Sequence, residues 1–209
     1  TWIGSNVTIM EGARIGKNCR IFPGAVISAI PQDLKFGGEE SEAIIGDNTT
    51  IRECVTVNRG TKYSGKTEIG KDSLIMAYAH IAHDCHIGNN VIIVNSVQLA
   101  GHIEIGDWAI IGGLSAVHQF VTIGKHTMIS GGSLVRKDIP PYLKAAREPL
   151  SFVGINSIGL RRRGIESEKI SEIQNIYRTI FQSKLNNTQA LDKLEAEFPV
   201  SPERDEIID

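Results

Sequence analysis

The chain has 209 residues, of which 41% are hydrophobic and 6% aromatic, and its formal net charge is −2. A chain of this length suits one large domain with a smaller appended unit. The slightly acidic balance argues against nucleic acid as a general partner, because a basic patch is the usual footprint of that function. No apolar run reaches the roughly 18 residues of a transmembrane segment, and no signal peptide is apparent.

The cysteines bear on the cellular location of the protein. Cys19, Cys54 and Cys85 are odd in number and lack the spacing of a metal site, so they indicate reduced thiols and a cytoplasmic location. The chain begins at Thr1 inside a repeat and stops at Asp209 in what resembles the start of a helix, so we expect both ends to be truncated.

Aliphatic residues recur at every sixth position over most of the chain. The series is unbroken from Ile69 to Val135, and upstream only Asp33, Glu39 and Tyr63 interrupt the same frame. A period of six fits neither an α-helix, at about 3.6, nor a strand, at about 2. Because glycine often follows the aliphatic residue, the pattern is typical of hexapeptide repeats. We therefore predict a left-handed parallel β-helix with coils of roughly 18 residues, in which asparagine and glycine at the turns supply positive φ.

The repeat is interrupted twice before it ends. Polar, glycine-containing segments near 29–44 and 58–68 are predicted to leave the coil as loops, and such loops often form the binding face of a solenoid. The segment 136–141 ends in two prolines, which cannot continue a hydrogen-bonded ladder. The β-helix domain is therefore predicted to span 1–139.

The remaining residues, 140–209, change to a helical period and are predicted to form a small α-helical domain. Apolar residues at helical spacing predict a helix near 168–184, with Ser167 as its N-cap. A second helix is predicted to end at Pro199, and Pro202 is suited to the first position of a third.

Five of the six histidines lie between Ile75 and Gln119, within the unbroken repeat. In a coil of three hexads, positions one full coil apart lie one above the other. This spacing places Gly101 above His83 and Gln119 above Gly101. It also places His102 above Asp84. One histidine on a solenoid is usually just solvated, but such a column predicts a functional site.

The column suits acyl transfer to a hydroxyl. A neutral imidazole at His83 can take a proton from the hydroxyl near neutral pH. Glycine at position 101 exposes a backbone N–H for an oxyanion, and Asp84 can fix the imidazole tautomer. No serine or cysteine nucleophile is needed if the substrate hydroxyl attacks directly, so Cys85 is interpreted as structural.

Several sequence blocks resemble the bacterial acyl-carrier-protein–UDP-N-acetylglucosamine O-acyltransferases. The resemblance covers about residues 30 to 185. The hexads alone are unspecific, whereas the histidine-bearing blocks combined with the Gly-Leu-Arg-Arg-Arg-Gly block are highly specific. The matching blocks are Gln32–Lys35, Ile51–Glu53, Arg59–Thr61, Ala79–Cys85, Leu99–His102, Ile111–Gly113, Ala116–Phe120, Gly154–Asn156 and Gly159–Gly164.

Members of this family move an (R)-3-hydroxyacyl group from acyl carrier protein to the glucosamine 3-hydroxyl of UDP-N-acetylglucosamine, the first step of lipid A synthesis. The resemblance implies His83 as the general base, Asp84 as its orienter and the Gly101 N–H as the oxyanion donor. It also implies a homotrimer with sites between neighbouring solenoids, no metal, and no cofactor beyond the carrier-protein thioester that donates the acyl group. The substrate-binding residues that it implies are Asp33, Lys35, His80, His102, His118 and Gln119, with Asn156, Arg162 and Arg163 on the nucleotide phosphates.

Three positions bear on how this chain compares with the family that it resembles. Ile158 stands where some members have glutamate, and Asn58 stands where they have histidine before Arg-Gly-Thr. Both departures concern a nucleotide contact rather than the chemistry. Gly131 occupies the position that limits acyl length in the family, and because glycine leaves room, a long hydroxyacyl chain is predicted.

Three alternatives remain open from the sequence. A zinc enzyme of the γ-carbonic anhydrase kind is also a trimeric hexapeptide β-helix, and His80, His83, His86 and His102 could supply its ligands. The sister N-acyltransferase, which acts on an already 3-O-acylated sugar, is closer. The third alternative is a non-catalytic β-helix that serves as a scaffold.

Overall fold

The computed structural model describes residues 1–208, and Asp209 lies outside the described residues. Most strands are very short. In chain order they are β1 (Trp2–Ile3), β2 (Thr8–Ile9), β3 (Ala13–Ile15), β4 (Arg20–Ile21), β5 (Val26–Ala29), β6 (Glu42–Ile45), β7 (Thr50–Ile51), β8 (Thr56–Asn58), β9 (Lys66–Ile69), β10 (Leu74–Ile75), β11 (His80–Ile81), β12 (His86–Ile87), β13 (Ile92–Ile93), β14 (Gln98–Leu99), β15 (Glu104–Ile105), β16 (Ile110–Ile111), β17 (Ala116–Val117), β18 (Thr122–Ile123), β19 (Met128–Ile129), β20 (Leu134–Val135), β21 (Leu143–Ala146) and β22 (Ser151–Ile155). The helices are α1 (Ser157–Arg162), α2 (Ser167–Gln182), α3 (Asn187–Glu197) and α4 (Pro202–Ile208).

Three sheets form the walls of a triangular prism. Sheet A runs β1-β4-β7-β10-β13-β16-β19-β21-β22, sheet B runs β2-β5-β8-β11-β14-β17-β20, and sheet C runs β3-β6-β9-β12-β15-β18. Leu74 pairs with Ile92 and His80 pairs with Gln98, both in parallel register, so one regular coil contains three hexads. The predicted parallel β-helix of hexapeptide repeats is confirmed.

The in-frame aliphatic residues fill the interior of the prism. Ile75, Ile93 and Ile111 stack in sheet A, and each is fully buried. Complete burial of such a side chain stabilises the fold by about 1.5–3 kcal/mol. Smaller residues two positions earlier fill the space beside them, and the hydroxyl of one of these, Ser73, donates to the carbonyl oxygen of Gly88 at 3.2 Å.

The glycines that follow the in-frame aliphatic residues have a different role from the predicted one. Positive φ is adopted mainly by other residues, including Asp84 (φ 59°), Asn90 (φ 56°) and His102 (φ 62°). A Cβ atom on Gly70 would lie only 2.5 Å from the carbonyl oxygen of Gly88 in the next coil. The prediction of positive φ is therefore right for asparagine and for a few turn glycines such as Gly24 and Gly132. It is wrong for glycines such as Gly70, which are needed because adjacent coils approach so closely.

Both insertions leave the prism where the chain passes from sheet B to sheet C, which we call the B–C corner. They comprise residues 30–41, between β5 and β6, and residues 59–65, between β8 and β9. Arg20 pairs with Thr50, and Thr50 in turn pairs with Leu74. The first of these coils is thus two hexads longer than a regular coil, and the second is one hexad longer. Because the insertions add whole hexads, the aliphatic frame survives them.

The ladder continues past the two prolines, contrary to the sequence prediction. Ile139 bridges to Ile123, and β21 pairs in parallel with β19 before β22 folds back antiparallel. Pro140 and Pro141 lie between these pairings, where no ladder N–H is required. β-structure therefore extends into the segment that was predicted to be helical.

The tail packs its helices around a second hydrophobic cluster that includes Leu160, Ile173 and Tyr177. The helix predicted near 168–184 is α2, but its N-cap is Glu166 and not Ser167. The short helix α1 was not predicted, because one and a half turns carry no clear periodicity. None of the helices in residues 1–208 combines the length and hydrophobicity that crossing a membrane requires.

Candidate active site

His83 lies in the B–C corner, directly beneath Gly101 of the next coil. A Cβ atom at position 101 would lie 2.6 Å from His83 Cε1 and 2.8 Å from Nε2, so the imidazole packs against a bare Cα. The neighbouring backbone N–H of His102 donates to the carbonyl oxygen of His83 at 3.1 Å, which fixes the two turns against each other. The alignment predicted from the hexad count is confirmed.

The backbone amide of Gly101 makes no hydrogen bond within residues 1–208. By contrast, the N–H groups on either side of it, at Ala100 and His102, donate to carbonyl oxygens of adjacent coils. A free amide at this position of the turn is a consequence of the coil geometry. Glycine adds access, because no side chain shields the amide from the space beside the His83 ring.

Asp84 holds the His83 ring in a defined tautomer. His83 Nδ1 and Asp84 Oδ2 are 2.7 Å apart, and the Asp84 side chain is completely buried. An ionised carboxylate only accepts hydrogen bonds, so Nδ1 carries the proton and Nε2 keeps its lone pair. His83 is thus arranged to accept a proton at Nε2.

The second insertion supplies the remaining contacts of Asp84. Thr61 donates its hydroxyl to Oδ2 at 2.7 Å and its N–H to Oδ1 at 3.1 Å. Ser64 donates both its hydroxyl and its N–H to Oδ1. Burial alone would raise the pKa of Asp84, but hydrogen bonds from Ser64, His83 and Thr61 outweigh it and lower the pKa to about 2. Asp84 is therefore a permanent anion at neutral pH.

His102 lies one coil above Asp84 between two aromatic rings. It stacks on Phe120 with centroids 4.4 Å apart and meets the edge of Tyr63 at 4.5 Å. Its ring is also edge-on to that of His83, at 5.0 Å. Burial lowers the pKa of His102, an effect that the charges of Asp84 and Asp33 partly oppose. His102 is accordingly a neutral wall of the site.

Two clefts open on either side of this histidine pair. The first, of about 420 Å³, is lined by His83 and Gly101, and we call it the His83 cleft. The second, of about 480 Å³, is lined by His102 and Phe120, and we call it the His102 cleft. The predicted residues His80 and Gln119 line the first cleft, and Asp33 and Lys35 line the second.

The first insertion reaches both clefts. Gln32 lines the His83 cleft, whereas Asp33 and Lys35, close behind it in sequence, line the His102 cleft. The backbone N–H of Lys35 donates to Asp33 Oδ1 at 3.0 Å, which orders this part of the loop. The loop thus brings two carboxylates, those of Asp33 and Glu39, and the ammonium group of Lys35 to the edge of the His102 cleft.

Two predicted residues lie outside both clefts of the single chain. His118 is exposed, and its Nδ1 contacts the Gln119 carbonyl oxygen at 3.1 Å. Gly131 is also exposed, but it lies in the turn between β19 and β20, at the corner where sheet A passes to sheet B. The structure therefore does not bring Gly131 to the His83 corner of its own chain.

The predicted nucleotide residues lie at the third corner, where sheet C passes to sheet A. Asn156 is buried and caps α1: its Oδ1 accepts from the Gly159 N–H at 3.2 Å, and its Nδ2 donates to the His126 carbonyl oxygen at 2.9 Å. Arg163 contacts His126 Nδ1 at 3.2 Å and covers the Trp108 ring. Both side chains have structural partners, which the sequence did not indicate.

Arg162 differs from these two residues. It is exposed and makes no salt bridge within residues 1–208. Ile158, the departure from the family pattern in the same helix, is also exposed. Of the three residues predicted to hold the nucleotide phosphates, only Arg162 therefore presents an uncommitted side chain.

Sequence reasoning missed four residues of the B–C corner. Phe120 could have been found, because it lies one full coil after His102 and so belongs to the same column as Asp84. Thr61, Tyr63 and Ser64 could not, since the insertion that carries them interrupts the regular count of hexads.

The four histidines considered for a zinc enzyme are not gathered at one point. His80 Nδ1 is hydrogen bonded to the Thr56 hydroxyl at 2.7 Å, and His86 Nδ1 lies 3.6 Å from a Glu68 oxygen. Within residues 1–208, only His83 and His102 share a potential cation site, together with Asp84. This grouping differs from the ligand set considered from the sequence.

Two family models match the chain. One, described as domain 2 of UDP N-acetylglucosamine O-acyltransferase, matches residues 138–209. The other, the six-repeat bacterial transferase hexapeptide, matches residues 1–29 and 66–101. The first model begins at residue 138, close to the point where the hexads give way to the tail.

Curated relatives match nearly the whole chain. The acyl-[acyl-carrier-protein]–UDP-N-acetylglucosamine O-acyltransferase of Verminephrobacter eiseniae is 45% identical over 92% of this chain and 74% of its own length. The enzyme of the same name from a Janthinobacterium species is 48% identical over 88% of this chain and 71% of its own length.

Solved structures agree in fold as well as in sequence. The crystal structure of LpxA from Bacteroides fragilis, a UDP-N-acetylglucosamine acyltransferase, is 54% identical, with a TM-score of 0.96 over 99% of this chain and 82% of that chain. The UDP-N-acetylglucosamine acyltransferase of Francisella novicida is 40% identical, with a TM-score of 0.93 over 99% of this chain and 78% of that chain.

Proposed function

This chain belongs to the acyl-[acyl-carrier-protein]–UDP-N-acetylglucosamine O-acyltransferase family, and we propose that it performs the family's reaction with His83 as general base. It is an acyltransferase. It moves an (R)-3-hydroxyacyl group from acyl carrier protein to the 3-hydroxyl of UDP-N-acetylglucosamine, the first step of lipid A biosynthesis. The observation that carries the proposed mechanism is the stacking of the His83 ring, oriented by a buried carboxylate, against a glycine with a free amide.

His83 accepts a proton in the first half of the reaction and returns it in the second. The sugar 3-hydroxyl gives its proton to His83 Nε2 while its oxygen attacks the thioester carbonyl carbon. The imidazolium formed is stabilised by Asp84, which keeps its charge throughout. When the tetrahedral intermediate collapses, the carbon–sulfur bond breaks, and the thiolate leaves with the proton from His83.

The negative charge of the intermediate needs a donor. The Gly101 N–H is free and lies beside the His83 ring, so it suits the oxyanion that forms next to the attacked carbon. A general base of this kind contributes typically about 10²–10⁴ in rate. No metal or cofactor is required in this scheme, because the thioester already activates the acyl group.

The two clefts supply room for the two substrates. In the proposed arrangement His80 and Gln119 contact substrate in the His83 cleft, and Asp33 and Lys35 contact it in the His102 cleft. The exposed guanidinium of Arg162 binds a nucleotide phosphate, for which its planar donor set is suited. Gly131 leaves space for a long hydroxyacyl chain.

A homotrimer completes the site in this proposal. Large apolar side chains are exposed at the two corners that bound sheet B, including Tyr78 (63% exposed), Leu114 (76%) and Phe120 (56%). Exposed apolar surface of this kind favours a protein interface. His118, which lines neither cleft of its own chain, would then face the cleft of a neighbouring subunit. Light scattering should give about three times the chain mass of 22.8 kDa.

The proposed location is the cytoplasm. Cys19, Cys54 and Cys85 are all free thiols, two of them buried, as expected for a protein in a reducing compartment. A carrier protein loaded with a thioester is also an intracellular donor.

One assay tests the proposed function against the alternatives. The purified protein is given (R)-3-hydroxyacyl carrier protein and either UDP-N-acetylglucosamine or its 3-O-acylated glucosamine derivative. We expect product only with the unacylated sugar nucleotide, in buffer treated with a chelator. Transfer only to the derivative would identify the sister N-acyltransferase, and carbon dioxide hydration that the chelator abolishes would identify a zinc enzyme.

A further inference from the structure

Three potential metal ligands lie close together in the B–C corner. His83, Asp84 and His102 each offer one potential ligand atom, and these three atoms lie within 4.8 Å of one another. Asp84 Oδ2 is 2.7 Å from His83 Nδ1 and 3.9 Å from His102 Nδ1. Two imidazole nitrogens with one carboxylate oxygen form a donor set that suits Zn²⁺ and similar ions better than Mg²⁺.

One of these three atoms has no partner. His102 Nδ1 is buried and makes no hydrogen bond within residues 1–208, although Asp84 lies opposite it. Buried polar atoms in proteins nearly always have a partner, so an unpaired imidazole nitrogen beside a carboxylate indicates room for a bound species. The stacking of His102 on Phe120 holds that nitrogen in place.

A small cavity leads to the ligands. It has a volume of about 140 Å³, and Asp84 and His102 form part of its lining. The carboxylates of Glu68 and Glu104 line the same cavity; Lys66 pairs with Glu68 there, so together with Asp84 the lining keeps an excess of negative charge. This cavity shares Tyr63 and His102 with the His102 cleft but no lining residue with the His83 cleft, so a metal ion can reach the ligands without passing through the His83 cleft.

We propose that a divalent transition metal ion, with Zn²⁺ as the probe, binds His83, Asp84 and His102 and thereby inhibits the enzyme. The proposal rests on the proposed function, because it assigns His83 Nε2 the proton-accepting role. The metal takes the position of the Nδ1 proton, which is released to solvent, and coordinates the Nδ1 lone pair. The remaining ring proton then resides on Nε2, so the imidazole cannot accept the proton of the sugar hydroxyl.

Coordination by His83, Asp84 and His102 would match the usual coordination of zinc. Three protein ligands leave a fourth position for water, as in many zinc sites. The hydrogen bond between His83 and Asp84 opens slightly when a metal ion replaces the proton between them. Bound metal therefore removes the base while leaving the β-helix intact.

The experiment measures Zn²⁺ binding and activity together. Isothermal titration of the metal-free full chain with Zn²⁺ should show one site per chain, and activity should fall in proportion to its occupancy. A chelator should restore activity, and Mg²⁺ should have no effect. The variant His102→Gln should bind Zn²⁺ at least about 10-fold more weakly.

His86→Gln provides the matched control, since His86 lines the same cavity but lies at its exposed mouth, beside Glu68. Its Zn²⁺ affinity should equal that of the unaltered chain. If His86→Gln weakens binding and His102→Gln does not, the ion binds at the mouth and the proposal is wrong. Equal binding by all three proteins would also overturn it.

The outcome is separable from the proposed function. If the chelator-treated protein transfers the acyl group but Zn²⁺ neither binds at one site nor inhibits, only the metal proposal fails. If the chelator-treated protein transfers nothing to UDP-N-acetylglucosamine while Zn²⁺ binds as described, the proposed function fails and the metal site remains.

Discussion

Replacing Gly101 with alanine tests the column of His83 and Gly101 directly. The added Cβ would lie 2.6 Å from His83 Cε1, whereas carbon atoms in contact prefer about 3.5–4.0 Å. The imidazole must therefore move by about 1 Å, and a displacement of that size costs about 10²-fold in rate. We expect Gly101→Ala to lower kcat by about that factor.

The fold should tolerate this substitution. Gly101 does not have positive φ, so alanine can adopt its backbone conformation, and the added atom points away from the isoleucine core. Gly113 occupies the same place in its hexad at another corner, and a Cβ there would meet its nearest atom, the Asn95 carbonyl oxygen, at 3.1 Å. Gly113→Ala is the control for alanine in such a turn, with thermal unfolding as the readout.

A double variant identifies the cause of the effect. If the clash with the imidazole is responsible, Gly101→Ala should reduce the free energy of unfolding in the unaltered chain but reduce it less in a His83→Ala background. Equal destabilisation in both backgrounds, or a kcat for Gly101→Ala within threefold of the unaltered chain, would refute the proposed packing of ring on glycine.

Four further predictions follow from the same structure. Asp84→Asn should lower kcat by about 10²–10⁴, because an amide can donate to Nδ1 and so stabilise the tautomer protonated at Nε2; steady-state kinetics with an unchanged circular dichroism spectrum would show this. The depressed pKa of Asp84 stabilises the fold above about pH 4, a contribution lost as pH falls toward 2. Ser64→Ala should lower the free energy of unfolding at pH 7 by about 1–2 kcal/mol, measured by urea denaturation. An unchanged midpoint would contradict the hydrogen bond between Ser64 and Asp84. Burial and the charges of Arg163 and Lys125 lower the pKa of His126 to about 4, so the fold should lose stability as pH falls from about 6.5 to 4. The loss between pH 7 and 5 should be smaller in His126→Phe, and an equal loss would assign it to other groups. Gly131→Met should shift preference toward shorter acyl donors in competition assays, and an unchanged preference would remove Gly131 from the acyl site.

The sequence predicted those parts of the structure that repeat. Because every coil between Ile69 and Val135 has the same length, counting by whole coils predicts from the sequence alone that Gly101 lies on His83 and His102 over Asp84. The parallel β-helix followed from the same count. The left-handed backbone at His102 was not predicted, since the turn conformation is set by the coil and not by the preference of the residue.

The contacts that depend on irregular segments could not be predicted. Thr61 and Ser64 hold Asp84 only because an inserted hexad folds back onto the next coil, and no spacing rule applies there. The ladder continued beyond Pro141 because the prolines fall between two pairings. Asn156 has a side chain that could bind a polar ligand, but in the structure it caps a helix and also donates to the His126 carbonyl oxygen. That second contact depends on the position of His126 in space, which the sequence does not show.

The rate of acyl transfer by His83→Ala tests the central claim most directly. The variant is assayed with (R)-3-hydroxyacyl carrier protein and UDP-N-acetylglucosamine, beside His86→Ala, in which a nearby exposed histidine is removed. We predict that His83→Ala loses about 10²–10⁴ in kcat while the chain remains folded, whereas His86→Ala retains its activity. A kcat for His83→Ala within threefold of the unaltered chain would show that this imidazole does not take the proton.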